Sequence, residues 1–223
     1  MTAARPRARG RPRRRDAAGT RAALLAAGAE LFAERGYDGV PVAAIADKAG
    51  VNKAMINYHF GGKRNLYLAI VSATFAEIVA GVERLADSPR PAPEVLRELV
   101  ATVGEMVTRR HPYFCTMMLR EVVAGGKHLE PELIDKPVRM LGAVQRIVAR
   151  GVREGDFRPV DPLLTHLSLV GSLVFFFATA PFRERVLASR RPAVKPPDAA
   201  AYVKHIQDLL THGLAAESAS RRR

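Results

Sequence analysis

The amino-acid sequence predicts an all-α fold: a small N-terminal helix-turn-helix domain of three helices, followed by a larger helical domain. Three observations predict it. Apolar residues recur at helical spacing in one segment after another. No stretch alternates apolar and polar residues with the period of two that a half-buried strand needs. The stretch Val42 to Phe60, VAAIADKAGVNKAMINYHF, reads as two short helices joined by a tight turn, and the rest of the chain is organised around it.

Taken in order, residues 1–15 hold seven arginines, no acid and almost no apolar content, and are expected to form a disordered basic arm. A first helix runs from about Thr20 to Arg35, with Leu24, Ala27, Gly28, Leu31 and Phe32 on its inner stripe and Gly36 ending it. Within the helix-turn-helix, Gly50 stands where the turn needs a positive φ, which glycine adopts without steric cost. Ile45, Ala49, Val51 and Ile56 supply a shared core, and Ala46 is small where the second helix must cross. Ile56 and Phe60 share one inward face. A long fourth helix is expected from near Gly62 to about Asp87, with Leu66, Ile70, Ala73, Ile78, Val82 and Leu85 in period, and SPRPAP at 88–93 breaks it.

A fifth helix spans residues 94–110. His111-Pro112 opens a sixth, which ends at Gly125-Gly126. Residues 129–154 are helical with Pro137 inside, so either a short helix precedes Pro137 or the helix kinks there. Val138, Leu141, Gln145, Val148 and Val152 recur at heptad spacing. Pro162 to about Ala180 is the most apolar helix, and a shorter basic piece follows through Ala188. RRPAVKPPD is a loop, after which Asp198 caps a last amphipathic helix ending at Leu214. The expected division is therefore a basic arm at 1–15, a helix-turn-helix domain at 16–62, a larger helical domain at 63–215 and a disordered tail at 216–223.

Composition narrows the partners. The 223 residues are 48% hydrophobic, enough for one sizeable domain or two small ones. A single cysteine, Cys115, excludes an internal disulfide framework, fits a reducing cytoplasm, and reads as a small buried apolar residue. The net charge is +13; removing the seven arginines of residues 1–15 and the three of residues 221–223 leaves +3 for the body. Such basic ends suit a polyanion, and by themselves fit nucleic acid, a membrane surface or a solubilising tail. The apolar stretch after the arm, LLAAGAELFA, is broken by Glu30 and has helical spacing, so an export signal is not expected. The longest apolar run, Leu167 to Ala180, is about four residues short of a usual membrane span. It reads as a core or interface helix, and no membrane partner is expected.

Chemistry-bearing residues gather on the second helix of the motif. Asn52 can cap it with its side-chain oxygen. Lys53 can donate to guanine acceptors, Asn57 can pair two-fold with adenine, and Ala54 and Met55 lie beside them. Tyr58 and His59 suit phosphate contacts or packing. Lys63 stands at the start of the fourth helix, whose dipole already favours an anion. The turn pattern alone also fits an ordinary helical hairpin. Elsewhere, the six histidines are scattered without metal-ligand spacing, and no nucleophile elbow, HExxH or dinucleotide fingerprint occurs, so no catalytic residue, cofactor or metal is expected. Arg120 and Glu121 lie side by side on the apolar sixth helix, as an internal pair or as part of a pocket. Tyr113, Phe114, Met117, Met118, Met140, Phe175, Phe176 and Phe177 cluster on the sixth to eighth helices. Such stripes are usually core, although methionine is also favoured on adaptable binding surfaces.

From Thr20 to Val71 the chain resembles the DNA-binding domain of the TetR/AcrR family of transcriptional regulators. The landmarks are Thr20-Arg21, Ala26-Ala27, Leu31-Phe32, Gly36-Tyr37, Ile45-Ala46, Ala49-Gly50-Val51, Tyr58-His59-Phe60, Lys63 and Leu66. The form NYHFGGKRNLY, with Asn57 where many members carry tyrosine, resembles the CecR-like branch. Two departures stand out: Val40-Pro41 replaces a threonine or serine pair at the start of the second helix, and Ala43 replaces a frequent arginine, so the phosphate contacts the resemblance would imply there are not expected. The resemblance implies a homodimer on a near-palindromic double-stranded DNA operator, a repressor more than an activator, and a pocket in the larger domain for a small, often apolar effector. Tyr113, Met117, Arg120, Glu121, Met140 and Phe176 are the candidate pocket residues. Arg9-Gly-Arg-Pro within the arm resembles the core of an AT-hook, which would place Arg9 and Arg11 in a minor groove. The alternative function is a nucleoid-type architectural protein that binds DNA through its basic ends.

Overall fold

The structure is a computed structural model that describes residues 14–189 and 194–216. Ten α-helices, one π turn and no strand occur among the described residues; Phe157 and Ala215 form only an isolated antiparallel bridge. Helices α1 (Arg14–Arg35), α2 (Val42–Ala49) and α3 (Ala54–Phe60) make the N-terminal unit. Leu24, Phe32, Val40, Ile45 and Ile56, all fully buried, are its core. Gly36 and Gly50 end α1 and α2 with φ of 72° and 67°, so the two glycines serve where the reading of the sequence needed them. Val40, which cannot cap, is instead a core residue: it and Ile45 occupy the two positions of a hydrophobic staple around Pro41, the N-cap of α2.

Helix α4 (Lys63–Ala86) runs from this unit into the larger domain, packing on α1 and α3 at one end and on α5 (Ala92–Glu105) and α7 (Pro131–Glu154) beyond. It is long and apolar enough to cross a bilayer, but 56% of its apolar window is buried inside the protein. A π turn, Met106–Arg110, extends α5 before α6 (Phe114–Val123). Helix α8 (Pro162–Ala178) packs on α6 and α7, bends by 61° into α9 (Ala180–Ala188), and α10 (Ala199–Leu214) closes the domain against α5 and α8. The expected cap of α10 forms, Asp198 Oδ1 accepting from Ala201 N–H at 2.7 Å, and Asp161 caps α8 in the same way, its Oδ1 accepting from Leu163 N–H at 2.7 Å.

Four expectations are corrected. Helix α1 is already formed at Arg14, the first described residue and six before Thr20, in keeping with Ala17 and Ala18, which are strong helix formers. On α4, Ala73 is exposed and Thr74 takes the buried position, its hydroxyl donating to Ile70 C=O at 3.1 Å. Of the two alternatives at Pro137, a separate short helix does not occur, since α7 is continuous through the proline; its buried face is Leu133, Ala143, Val144, Ile147, Val148 and Gly151. Val138, in heptad register with the buried Val148, is itself 59% exposed. The face is fixed by Gly151, where a Cβ would meet the Phe157 ring at 2.2 Å, so that only glycine lets α7 approach the following loop. Phe175 points outward rather than joining the aromatic cluster.

Candidate nucleic-acid interface and its connection to the larger domain

The turn between α2 and α3 is built locally. Val51 N–H donates to Ala46 C=O at 3.0 Å, and Asn52 Oδ1 accepts from Ala54 N–H at 2.8 Å, satisfying one of the free donors at the start of α3. Ile56 and Phe60 anchor α3 to the core, and the Arg21 guanidinium lies 5.1 Å from the Phe60 ring centre. This anchoring turns the opposite face outward. Asn52, Lys53, Ala54, Asn57 and Tyr58 are exposed, Tyr58 at 76%, while Met55 and His59 are half-buried at the flanks. Among the described residues, the side chains of Lys53 and Asn57 make no hydrogen bond or ion pair with the rest of the chain, and the Tyr58 ring meets the His59 ring edge-on at 5.0 Å. A short helix presenting unspent donors and acceptors fits the major groove in width and chemistry.

Lys63 is placed differently. Its Nζ sits 4.4 Å from the centre of the Tyr37 ring at the first turn of α4, after Gly61 and Gly62, both at positive φ. Partial burial there lowers the ammonium below the ordinary lysine range, with Asp38 opposing. Arg9 and Arg11 lie outside the described residues.

Around Tyr37 the N-terminal unit meets the larger domain. Arg120 donates from Nε to Ala33 C=O and from Nη2 to Glu34 C=O, both at 3.0 Å, so it caps the last turn of α1. Glu121, 3% exposed, accepts from the Tyr67 hydroxyl at 2.7 Å on one oxygen, which also lies 2.7 Å from His128 Nδ1. Burial first, and the Glu121 carboxylate second, push the Tyr67 phenol far above its usual range, so it stays protonated and donates. Lys127 Nζ pairs with Asp38 at 2.9 Å, and Arg64 with Glu130 at 3.4 Å. The α6–α7 connection is thus pinned to the α1–α2 turn and to the start of α4.

The candidate pocket residues are not brought together. Tyr113 and Met117 line one cleft with α1 and α4. Arg120 and Glu121 are spent on the junction just described; as neighbours in sequence they face different ways on α6, and they do not pair with each other. Met140 packs on α7 against the core. Phe176 stacks on Tyr202 at 3.6 Å with the Arg183 guanidinium 3.8 Å from its ring centre. Cys115 is buried, and burial pushes its thiol up to about 12, which leaves it unreactive. Reading the sequence missed His128, Lys127 and Tyr67 as partners of the junction. Only Gly125-Gly126, with positive φ at both positions, hinted that a tight loop there would double back.

Comparisons with known proteins agree with this geometry. Residues 24–70 match the profile of bacterial regulatory proteins of the tetR family, and residues 91–210, more than half of the chain, match that of a tetracyclin repressor-like C-terminal domain. The HTH-type transcriptional repressor NicS of Pseudomonas putida is 29% identical over 161 residues, 71% of this chain and 75% of its own. The HTH-type transcriptional regulator RutR of Escherichia coli K12 is 26% identical over 140 residues, 63% of this chain and 65%, just under two thirds, of its own. Among solved structures, the TetR family regulator PfmR of Thermus thermophilus superposes with a TM-score of 0.68 at 26% identity, covering 85% of this chain and 97% of that one. The helix-turn-helix at its N-terminus and the helical domain behind it, each matched by the corresponding profile, make this chain a member of the TetR family of DNA-binding transcriptional regulators.

Proposed function

We propose that the protein is a homodimeric repressor that reads a near-palindromic operator with α3 and leaves it when a small, largely apolar effector binds, acting in the cytoplasm. The observation that carries this reading is the outward face of α3, where Lys53, Asn57 and Tyr58 stand exposed on a helix whose other face is locked by Ile56 and Phe60. Lys53 and Asn57 are the base readers; Asn52, Ala54, Met55, Tyr58 and His59 flank them, and Lys63 holds phosphate from the start of α4. Arg9 and Arg11 in the arm are proposed to reach the minor groove beside each half-site.

Dimerisation is assigned to α8 and α10. Leu163, Leu164, Leu167 and Phe175 of α8 and Leu209 of α10 are large apolar side chains left facing solvent, and grouped exposure of this kind marks an interaction surface. The repressor function of NicS and the match of residues 91–210 to a tetracyclin repressor-like C-terminal domain support the sense of regulation. The junction through Arg120, Glu121, Lys127 and His128 is the route by which a change in the larger domain reaches α1 and α4, provided an effector binds one arrangement better than the other.

The test is a pair of variants on a panel of single-base operator changes. Asn57→Ala is expected to relax preference at one base position, costing about 1–3 kcal/mol there. Lys63→Ala is expected to weaken all sequences alike and to reduce the salt slope by about one. A uniform loss from Asn57→Ala, with preference intact, would remove Asn57 from the base-reading set.

A further inference from the structure

A cleft of about 610 Å³, within the size range of small-molecule sites, opens between the N-terminal unit and the larger domain. One wall is α1 and the end of α2, the second is the middle of α4, and the third is the passage from the π turn into α6. Its origin is in the sequence. Ala23, Ala26 and Ala29 on α1 and Ala73 on α4 are too short to reach Tyr113 and Met117 opposite, whereas packed interiors leave few voids larger than a water molecule.

The polar groups lie at two ends. Glu30 and Lys48 pair at 2.8 Å between α1 and α2. At the other end His111 Nδ1 lies 3.2 Å from Thr74 Oγ1, and its Nε2 lies 3.3 Å from Glu77, which is 3.5 Å from Arg110. The π turn puts Arg110 and His111 there, closing with His111 N–H on Met106 C=O at 2.8 Å, and such turns recur at functional sites. The two cations of the lining, Lys48 and Arg110, each have a carboxylate beside them, Glu30 and Glu77. Lys48 is engaged at close range, whereas the longer Arg110 contact leaves most of the five guanidinium donors free.

From this we infer that the cleft binds a compact, mostly apolar molecule carrying one anionic group, its body against the alanine walls and its anion toward Arg110. The inference rests on the effector-responsive reading, and places an effector at the junction of the two domains rather than among the helices of the larger one. A ligand touching α1, α4 and α6 together favours one placement of α3 over others and so changes operator affinity.

Anilinonaphthalene sulfonate, an aromatic anion whose fluorescence rises in apolar sites, is the probe, with the uncharged phenylnaphthylamine as its control. Wild-type full-length protein is expected to bind the sulfonate saturably at one per chain. Ala73→Trp and Ala26→Trp fill the cleft from opposite walls at exposed positions, and each is expected to lower affinity about tenfold or more. Arg110→Glu is expected to lower affinity for the sulfonate by about threefold or more while leaving the uncharged probe unchanged. Saturating probe is expected to shift operator affinity of the wild type and not of Ala73→Trp. No saturable binding, wild-type affinity in either folded tryptophan variant, or equal loss of both probes in Arg110→Glu would overturn the site. If the filled variants bind operator normally while binding the probe as wild type does, the site fails and the regulator reading stands; if wild-type protein prefers no DNA sequence, that reading fails first.

Discussion

At the scale of single residues, the side chains divide by how far away their partners are. Asn52 was readable as a cap because its partner, the Ala54 N–H, is two residues on, and an asparagine at a turn followed by a short helix leaves few other roles. Glu121 was not readable. Its partner Tyr67 is 54 residues away and its other partner, His128, sits beyond a double-glycine turn, so adjacency to Arg120 suggested the wrong pair. The consequence is testable. Glu121→Ala leaves the buried Tyr67 hydroxyl without an acceptor, and is expected to cost about 1–3 kcal/mol of stability in denaturant unfolding. The double variant with Tyr67→Phe is expected to cost less than the sum of the two single variants, because the orphaned donor is removed with its partner. Additive losses would show that the two groups do not share one interaction.

At the scale of helices, periodicity found every element longer than two turns and misjudged some faces. The α7 stripe was displaced because apolar residues lie on both sides of the true face, and the deciding contact, Phe157 over Gly151, lies outside the helix pattern. Helix α8 carries apolar residues on every side and turns its polar Thr165 and His166 inward, so the sequence offered no way to separate its inward face from its outward one. The structure separates them: Leu173 is 1% exposed and Leu167 56%. Leu173→Glu buries an unpaired charge and is expected to abolish folding by circular dichroism. Leu167→Glu is expected to keep the helical spectrum and melting transition while sedimentation shows a monomer. A folded Leu173→Glu, or a Leu167→Glu that stays dimeric, would reassign the interface. The arm has its own test, limited to residues 2–13 so that the described part of α1, from Arg14 on, is kept. Removing them is expected to weaken operator binding and flatten its salt dependence by up to about 0.9 per lost phosphate contact, more strongly with A·T than with G·C flanks. Equal loss on both flanks would make the arm a non-specific tail.

At the scale of the whole molecule, the helix-turn-helix was legible because its spacing is local and dense, from Gly36-Tyr37 through Lys63. The junction and the cleft were not, because both are made of contacts between α1, α4 and α6 that no single stretch contains. The same geometry ties DNA reading to the larger domain: α4 carries Lys63 at one end, buries Tyr67 against Glu121 one turn on, and continues between α5 and α7. The central claim is that two copies of this chain read DNA sequence through paired α3 helices. In-vitro selection of duplexes bound by the full-length protein, followed by footprinting of the selected site, tests it most directly. The expected result is one enriched near-palindrome whose half-sites are protected about one helical turn apart, centre to centre. Retention of duplexes without enrichment, or protection that coats DNA regardless of sequence, would contradict it.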